Sequence, residues 1–381
     1  MLTTMYQRCT RCVMDTSDPA ITFDKDGICN HCHEFDKVAE AQWFPGPEGA
    51  PKLEAILNDI RREGQGQEYD CILGLSGGAD STYLAMKAKD WGLRPLVVHV
   101  DAGWNSELAV FNIERVIKYC NYDLHTHVVD WEEMRDLHLA YLKAGIPNQD
   151  VPQDHVFFAT LYNFATSNGI RTILSGGNIA TEGIFAAAWQ GSAMDEINLR
   201  AIHKRFGTRP LKSYSTISFW EYYLWYPFIK KMRTVRPLNY MPYVKTEAIA
   251  EMERTFGYKP YDRKHGESLF TKFFQNYYQP TKFGYDKRLP HLSSLIVSGQ
   301  MTRDAALREL EKPLYDPYEL ETDIAYLCKK LRISRADFDA MVSGPNRQHT
   351  DFPTWESRRA LAKAAQSLVG RVTGRQMTVY S

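Results

Sequence analysis

The sequence predicts an α/β protein: a parallel sheet with helices on both faces, preceded by a small cysteine-rich module and followed by an α-helical C-terminal region. Three observations carry this. From residue 52 to about residue 258, helix-like and strand-like patterns alternate, which is the signature of strands joined by crossover helices. A glycine-rich turn, Ser76-Gly-Gly-Ala-Asp-Ser81, lies between a strand pattern and a helix pattern. Two Cys-x-x-Cys pairs, Cys9/Cys12 and Cys29/Cys32, come before the alternation starts.

The elements follow in order. Lys52 to Glu63 is amphipathic, and Asp70 to Leu75 is an apolar run read as the first strand. A helix continues from Ser81 through Lys89, and Arg94 to Val100 is the second strand. Glu107 to Tyr119 reads as a helix and Leu124 to Val129 as the third strand. Trp131 to Lys143 and Gln153 to Ser167 are helical, Arg171 to Ser175 is the fourth strand, and Arg233 to Leu238 is a short fifth. Lys245 opens a further helix. Beyond residue 258 only helical patterns remain, with Thr302 and Ser334 as N-caps and a helix over Tyr318 to Leu331. The Gly/Pro-rich stretch Trp43 to Pro51 marks a boundary. The expected division is therefore 1–50, 51–258 and 259–381.

The two Cys-x-x-Cys pairs have zinc-ribbon spacing and can set four thiolates around one Zn²⁺. A disulfide framework is the alternative, and it suits a large chain with no export signal poorly. His31 and His33 flank the ligands and read as bystanders. A closed Cys₄ site has no open position for water, so the expected role of the zinc is structural.

Composition narrows the function classes. The 381 residues carry 46 Lys+Arg and 46 Asp+Glu, a balance that argues against a general nucleic-acid binder. Met1 to Arg11 is polar, so no signal peptide is expected and the chain reads as cytoplasmic. Ile217 to Ile229 is the most lipid-like stretch, but it is too short to span a bilayer and contains Glu221 and Pro227. It reads as a buried or subunit-interface helix, which would fit a homo-oligomer.

The chemistry concentrates in the glycine turn. A strand that turns through Gly77 and Gly78 into a helix directs unsatisfied N–H groups and the positive dipole end at one point, an anion site. Ser76 and Ser81 add hydroxyl donors, and Asp80 supplies a carboxylate for Mg²⁺. No lysine follows as a Walker A loop requires. Ligands of parallel sheets bind beyond the carboxyl ends of the strands, which places three loops on one rim: Ser76 to Ser81, Val100 to Trp104, and Ser175 to Glu182. Backbone groups at His99 and Val100 are candidates to frame an adenine. Asp101 is either a ribose or metal partner or a plain turn residue. Gly176 and Gly177 permit close approach, and Asn178, Thr181 and Glu182 are candidate acceptor or metal contacts. Lys245 either reaches a pyrophosphate or sits on the surface. A second region, Arg263 to Gln275 with Lys282 to Arg288, mixes cations and aromatics with poor helical periodicity, a composition suited to a nucleotide-linked anionic substrate or to a charged face over an aromatic core.

The hexapeptide resembles the SGGxDS loop of the PP-loop ATP pyrophosphatases, whose fold is adenine nucleotide alpha hydrolase-like. A closer resemblance rests on several motifs in order. They are Arg8-Cys9-Thr-Arg-Cys12-Val-Met-Asp15, Gly27-x-Cys29-Asn-His-Cys32, SGGADS, Val100-Asp-Ala-Gly-Trp-Asn105, Leu174-Ser-Gly-Gly-Asn-Ile-Ala-Thr-Glu182 and Lys264-His-Gly-Glu-Ser268. Together these resemble the N-acetyl sugar amidotransferases of surface-polysaccharide biosynthesis, which serve O-antigen and nonulosonic acids. The resemblance spans about residues 5 to 315. It implies an ATP-dependent enzyme that converts the acetamido group of a nucleotide sugar to an acetamidino group through an O-adenylyl imidate, releasing AMP and pyrophosphate. It implies ATP and Mg²⁺ beside the structural Zn²⁺. Lys264, Lys272 and Lys282 become candidates to neutralise phosphates, and His265 or Glu267 candidates for proton transfer. Ammonia would come from separate glutaminase and ammonia-channel subunits, a pair resembling those of imidazole glycerol phosphate synthase. Consistently, Cys71, Cys120 and Cys328 sit in predicted strand and helix contexts with no nucleophile elbow. Neither nucleic acid nor a membrane span enters this reading. A PP-loop tRNA sulfurtransferase is the runner-up, disfavoured by neutral charge and the lack of rim cysteines; a zinc-ribbon interaction protein is a distant third.

Overall fold

Short apolar runs bounded by turn residues do form the sheet. In the computed structural model, which describes residues 6–261, 266–356 and 358, the strands are β1 (Cys71–Gly74), β2 (Pro95–Asp101), β3 (Leu124–Val128), β4 (Thr172–Leu174) and β5 (Arg233–Val235). They pair in the order β3-β2-β1-β4-β5, all parallel. Cys71 lies opposite Pro95, and Ile72 opposite Ile173. The chain builds outward from β1 to one edge and then returns to β4 on the other side. The switch point of the topology therefore lies between β1 and β4, where open parallel sheets take their ligands.

The helices in chain order are α1 (Asn30–Gln42), α2 (Gly49–Glu63), α3 (Ala79–Asp90), α4 (Glu107–Cys120), α5 (Trp131–Ala144), α6 (Val151–Ser167), α7 (Ile179–Glu182), α8 (Glu196–Phe206) and α9 (Lys245–Phe256). The C-terminal region adds α10 (Leu269–Phe273), α11 (Gln279–Phe283), α12 (Arg288–Val297), α13 (Arg303–Glu311), α14 (Pro317–Leu331) and α15 (Arg335–Ser343). Successive strand residues face opposite sides of the sheet. Ile72, Val98 and Ile173 pack under α5, α6 and α8, whereas Leu73, Val97 and Leu174 pack under α2, α3, α4 and α9. Both faces are covered, as an all-parallel sheet requires. Thr302 caps α13 by accepting the Ala305 N–H, and Ser334 forms a capping box with Asp337 at the start of α15.

Two sequence expectations change in detail, and a third gains its physical reason. The fifth strand ends at Val235, because Pro237 starts a 3₁₀ turn (Pro237–Tyr240) that cannot extend the ladder. The stretch Ile217 to Ile229 is not a uniformly buried helix. It contains a π-helix over Glu221–Ile229, which includes Pro227, and buries Tyr223, Tyr226 and Pro227 while exposing Trp220, Trp225 and Ile229. The aromatic run after Glu267 has weak α periodicity because a π-helical turn, Phe274–Tyr278, interrupts it between α10 and α11.

The cysteine-rich segment packs onto the body instead of standing apart. Phe35 and the cysteines share a core with Ile179, Ile184, Trp189 and Leu289. Arg303 donates to the carbonyls of Cys12 and Cys9 at 3.0 and 2.9 Å, and Ser293 Oγ accepts the Val13 N–H at 3.2 Å. The stretch between the segment and the sheet is folded too: the Phe44 N–H donates to the Asn239 carbonyl at 2.7 Å, and α2 begins inside it at Gly49. Among the described residues, no helix is long and apolar enough to cross a membrane.

Candidate functional site

The glycine turn is held open by its neighbours. Gly77 has φ +83°, and a Cβ there would meet the Ala109 carbonyl oxygen at 2.8 Å, so both conformation and space demand glycine. Gly78 is the N-cap of α3 and offers no side-chain oxygen, which leaves first-turn N–H groups for an anion. Ser76 Oγ accepts the Gly78 N–H at 3.3 Å and lies 3.2 Å from Ser81 Oγ, while Ser81 Oγ donates to the Gly78 carbonyl at 3.2 Å. Across the switch point, a Cβ on Gly176 would come within 2.8 Å of the Ser81 nitrogen. The β4 rim thus closes directly on the start of α3, and the two rims form one cradle.

Asp80, in the first turn of α3, is an anchored carboxylate of that cradle. Its Oδ1 accepts the Tyr243 hydroxyl at 2.6 Å and the Asn178 amide at 3.0 Å. Its Oδ2 lies 3.8 Å from Lys245 Nζ, the first residue of α9. Burial, and then the Asp80 charge, push the Tyr243 phenol up, so Tyr243 stays a donor. With one oxygen fixed by neutral donors, the other is available to a hard cation such as Mg²⁺. When bound, that ion would supply positive charge to offset that of a phosphate group.

The other rim residues separate by role. Val100 lines the cleft, and His99 is locked: its Nδ1 lies 2.8 Å from the Leu75 carbonyl and its Nε2 2.9 Å from the Asn105 amide. Asp101 accepts the Gly103 N–H at 2.7 Å, which is the turn role. Gly177 and Glu182 line the cleft. Asn178 does not present itself to a substrate. It is buried, caps α7 by accepting the Thr181 N–H and spends its amide on Asp80 and the Gly176 carbonyl, so it orients Asp80. Glu267 reaches the cradle: its Oε1 is 3.2 Å from where a Cβ on Gly78 would lie, and its backbone carbonyl accepts the Ser106 N–H.

Two of the candidate lysines are elsewhere, and the sequence expectation is corrected for them. Lys272 pairs with Glu319 and Asp323 of α14 at 2.7 and 2.6 Å. Lys282 donates to the carbonyls of Val342 and Gly344 at 2.9 and 2.6 Å at the end of α15, a C-terminal cap favoured by the helix dipole. Both side chains are taken by the C-terminal helices, and neither lines the cleft. Lys264 and His265 lie outside the described residues.

Several cleft residues escaped the sequence reading. The Tyr261 hydroxyl donates to the Gly77 carbonyl at 3.0 Å. The Tyr258 hydroxyl is buried in the wall with no partner among the described residues. Asp150 and Asp154 stand where α6 meets the cleft, with Lys287 facing Asp154. Tyr243 sits two residues before Lys245, and an Asp-x-x-x-Asp spacing at the head of an apolar helix was the available signal for the acid pair. The whole cleft holds about 1560 Å³, more than the few hundred to ~1,000 Å³ of a single-ligand pocket. It has room for ATP and a second substrate side by side.

The cysteine cluster fits zinc. The four sulfurs lie within 4.8 Å of one another, with Cys9–Cys32 at 3.9 Å and Cys12–Cys29 and Cys29–Cys32 at 3.7 Å. A tetrahedron with Zn–S bonds of about 2.3 Å has edges of about 3.8 Å. The backbone N–H groups of Cys12 and Cys29 point at Cys9 Sγ, as suits a thiolate. His31 and His33 face Asp18 and Asp24 at 2.6 and 2.8 Å and are not ligands of the cluster.

Comparison with known proteins adds the following. Residues 267–365 match the family model described as LPS biosynthesis protein WbpG-like, C-terminal domain. That segment contributes Glu267, Ser268, Thr271 and Lys287 to the cleft. A 121-residue stretch is 32% identical to the uncharacterized protein MJ1599 of Methanocaldococcus jannaschii, covering 31% of this chain and 41% of that protein. The chain therefore matches about two-fifths of the length of this curated relative. Among solved structures, the NH3-dependent NAD synthetase from Campylobacter jejuni subsp. jejuni NCTC 11168 aligns at 15% identity and a TM-score of 0.28, over 41% of this chain and 72% of that one. The NAD+ synthetase from Burkholderia pseudomallei aligns at 16% identity and a TM-score of 0.28, over 60% of this chain and 94% of that one.

Proposed function

We propose that this chain is an ATP-dependent, AMP-forming amidotransferase of lipopolysaccharide biosynthesis that converts an acetamido group of a nucleotide-linked sugar into an acetamidino group. The observation that carries the reading is the junction of two parts at one cleft. A glycine cradle with an anchored Asp80 stands at the switch point of the sheet, and a segment of the WbpG-like lipopolysaccharide-biosynthesis type forms the facing wall.

The chemistry follows from the polarity of an amide. Its oxygen is a weak nucleophile and its carbon a weak electrophile, so both must be activated. Attack of the amide oxygen on the α-phosphorus of ATP expels pyrophosphate and leaves an O-adenylyl imidate. Ammonia adds to the carbon and AMP departs. Ser76, Gly77, Gly78 and Ser81 would hold the pyrophosphate, Asp80 the Mg²⁺, and Lys245 the adjacent charge. Val100, Gly176 and Gly177 would bound the nucleotide, and Glu182 the acceptor. The role given to this protein is positioning and charge neutralisation rather than covalent catalysis. The nitrogen would arrive as ammonia from a separate glutaminase.

The test is mass spectrometry of UDP- and CMP-linked N-acetyl sugars incubated with the protein, ATP, Mg²⁺ and ammonium chloride. One acceptor should yield a product lighter by the difference between O and NH, with stoichiometric AMP and pyrophosphate. Pyrophosphate release that depends on RNA and on no sugar would overturn the assignment.

A further inference from the structure

Asp150 and Asp154 lie one helical turn apart at the start of α6, on the same face, and both line the cleft. Asp150 is buried and fully engaged. The Thr271 hydroxyl lies 2.8 and 3.0 Å from its two oxygens, and the Gln153 amide donates to Oδ1 at 2.5 Å. Asp154 is only partly buried and faces the cleft opposite Lys287, whose Nζ donates to Gln190 Oε1 at 3.0 Å. A continuous wall joins this pair to the glycine cradle. Ser268 donates to Gln153 Oε1 at 3.4 Å and pairs with Asn105, and the preceding residue, Glu267, abuts Gly78.

We propose that Asp154, set against the cleft by the first turn of α6 beside Asp150, takes the proton from the incoming nitrogen after ammonia adds to the adenylylated carbon. This rests on the amidotransferase reading. The nitrogen lone pair forms the new C–N bond, and the C=N π pair of the protonated imidate returns to the sugar nitrogen. The adduct then bears one –NH₃⁺ group. Asp154 accepts one proton from it, the freed nitrogen pair forms the new C=N bond, and the C–O bond to AMP breaks with its electrons on the phosphate oxygen. The product is the amidinium and no electron leaves the system. The groups that face Asp154 are Asp150 on its own turn, Lys287 across the cleft and Tyr214 behind it; Glu267 acts on Asp150. Burial raises both carboxyls. Asp150, beside a second acid, is held well above the usual carboxylate range, whereas Lys287 limits Asp154 to about 6. A carboxyl at about 6 is suited to accept a proton near neutrality.

The experiment separates the two half-reactions in the full chain. Sugar-dependent pyrophosphate–ATP exchange reads adenylylation; amidine formation with ammonium chloride or hydroxylamine reads nitrogen addition. The acceptor is the UDP- or CMP-linked N-acetyl sugar that supports exchange in the wild type. Asp154→Asn should keep exchange within about threefold and lose at least about 100-fold in amidine formation from ammonium. It should also lose the rise of kcat between pH 5 and 7. Hydroxylamine, whose adduct is far more acidic, should restore product to within about tenfold. Asp150→Asn, which keeps the shape and one acceptor oxygen of a side chain engaged by Thr271 and Gln153, should stay within about tenfold in both assays. A raised sugar KM with unchanged kcat in Asp154→Asn would make the residue a sugar-hydroxyl holder and overturn the proposal, as would equal loss of both half-reactions. Failure of every sugar to support exchange in the wild type would instead remove the underlying function and this inference with it.

Discussion

At the scale of the residue, position in the hydrogen-bond network decides which charges act. In the sequence, Asp80 read as the Mg²⁺ carboxylate of the glycine turn and Lys272 as a candidate to neutralise phosphates. Asp80 is aimed by Tyr243 and Asn178, whereas Lys272 is consumed by Glu319 and Asp323. Asp80→Asn should therefore leave thermal stability near wild type and lower pyrophosphate release by about 100-fold or more. Tyr243→Phe removes one hydrogen bond to a charged group, a loss of about 1.5–3 kcal/mol in its hold on Asp80, and should lower the same rate by about tenfold or more. Lys272→Ala should leave the KM for ATP unchanged. A pyrophosphate-release assay on the three variants, with a melting curve for Asp80→Asn, checks all of these. An unimpaired Asp80→Asn would remove the nucleotide assignment.

At the scale of the element, α5 is tied to the loop after α8 by two carboxylates. Glu133 accepts the N–H groups of Lys212, Ser213 and Tyr214, and Asp136 accepts those of Thr208 and Arg209. Burial pushes both carboxyls up, but these donors outweigh it and hold each below its ordinary value. A carboxyl depressed on folding contributes stability above its unfolded pKa, and that contribution fades as pH falls through the folded one. Glu133→Gln should accordingly lower Tm at neutral pH. The gap to wild type should persist down to about pH 4.5, the ordinary glutamate value, and narrow below it. Melting curves across pH 3 to 7, a range of about four decades around that value, would show it; a gap that widens with acid would contradict the sign.

At the scale of the whole molecule, the cysteine cluster belongs to the same body as the cleft. Gly183 shows the link: a Cβ there would come within 2.6 Å of the Phe35 ring, so α1 abuts the end of α7, which carries Glu182. Zinc should be present at about one per chain. Cys29→Ser should lose it together with soluble yield, as metal analysis and expression would report. Soluble, fully active, zinc-free protein would contradict that. On the proposed amidotransferase reading, the other thiols bear on the nitrogen source. Cys71, Cys120 and Cys328 are buried, and burial pushes each thiol up, Cys120 to about 12, the opposite of an activated nucleophile. The isolated chain should use ammonium, better at higher pH where more ammonia is free, and use glutamine poorly until a glutaminase is added. Efficient glutamine use, abolished by mutating one of these cysteines, would refute the need for a partner.

The amino-acid sequence by itself determined the strand–helix alternation, the glycine cradle and the four thiols. Each of these is a local pattern whose meaning is carried by backbone geometry: a period of side chains, a φ only glycine tolerates at Gly77, a Cys-x-x-Cys spacing. Tertiary structure alone decided what those patterns face. It returned β4 to the side of β1 opposite β2, which placed Gly176 against Ser81. It turned Lys272 and Lys282 away to the C-terminal helices and spent Asn178 on orienting Asp80. It also brought Asp150 and Asp154 into the cleft wall. The physical reason is that a charge acts through its distance to others and through its exposure to water, and both are set by segments far apart in the chain. Tyr243 lies 163 positions from the carboxylate it holds, and no local pattern records that contact.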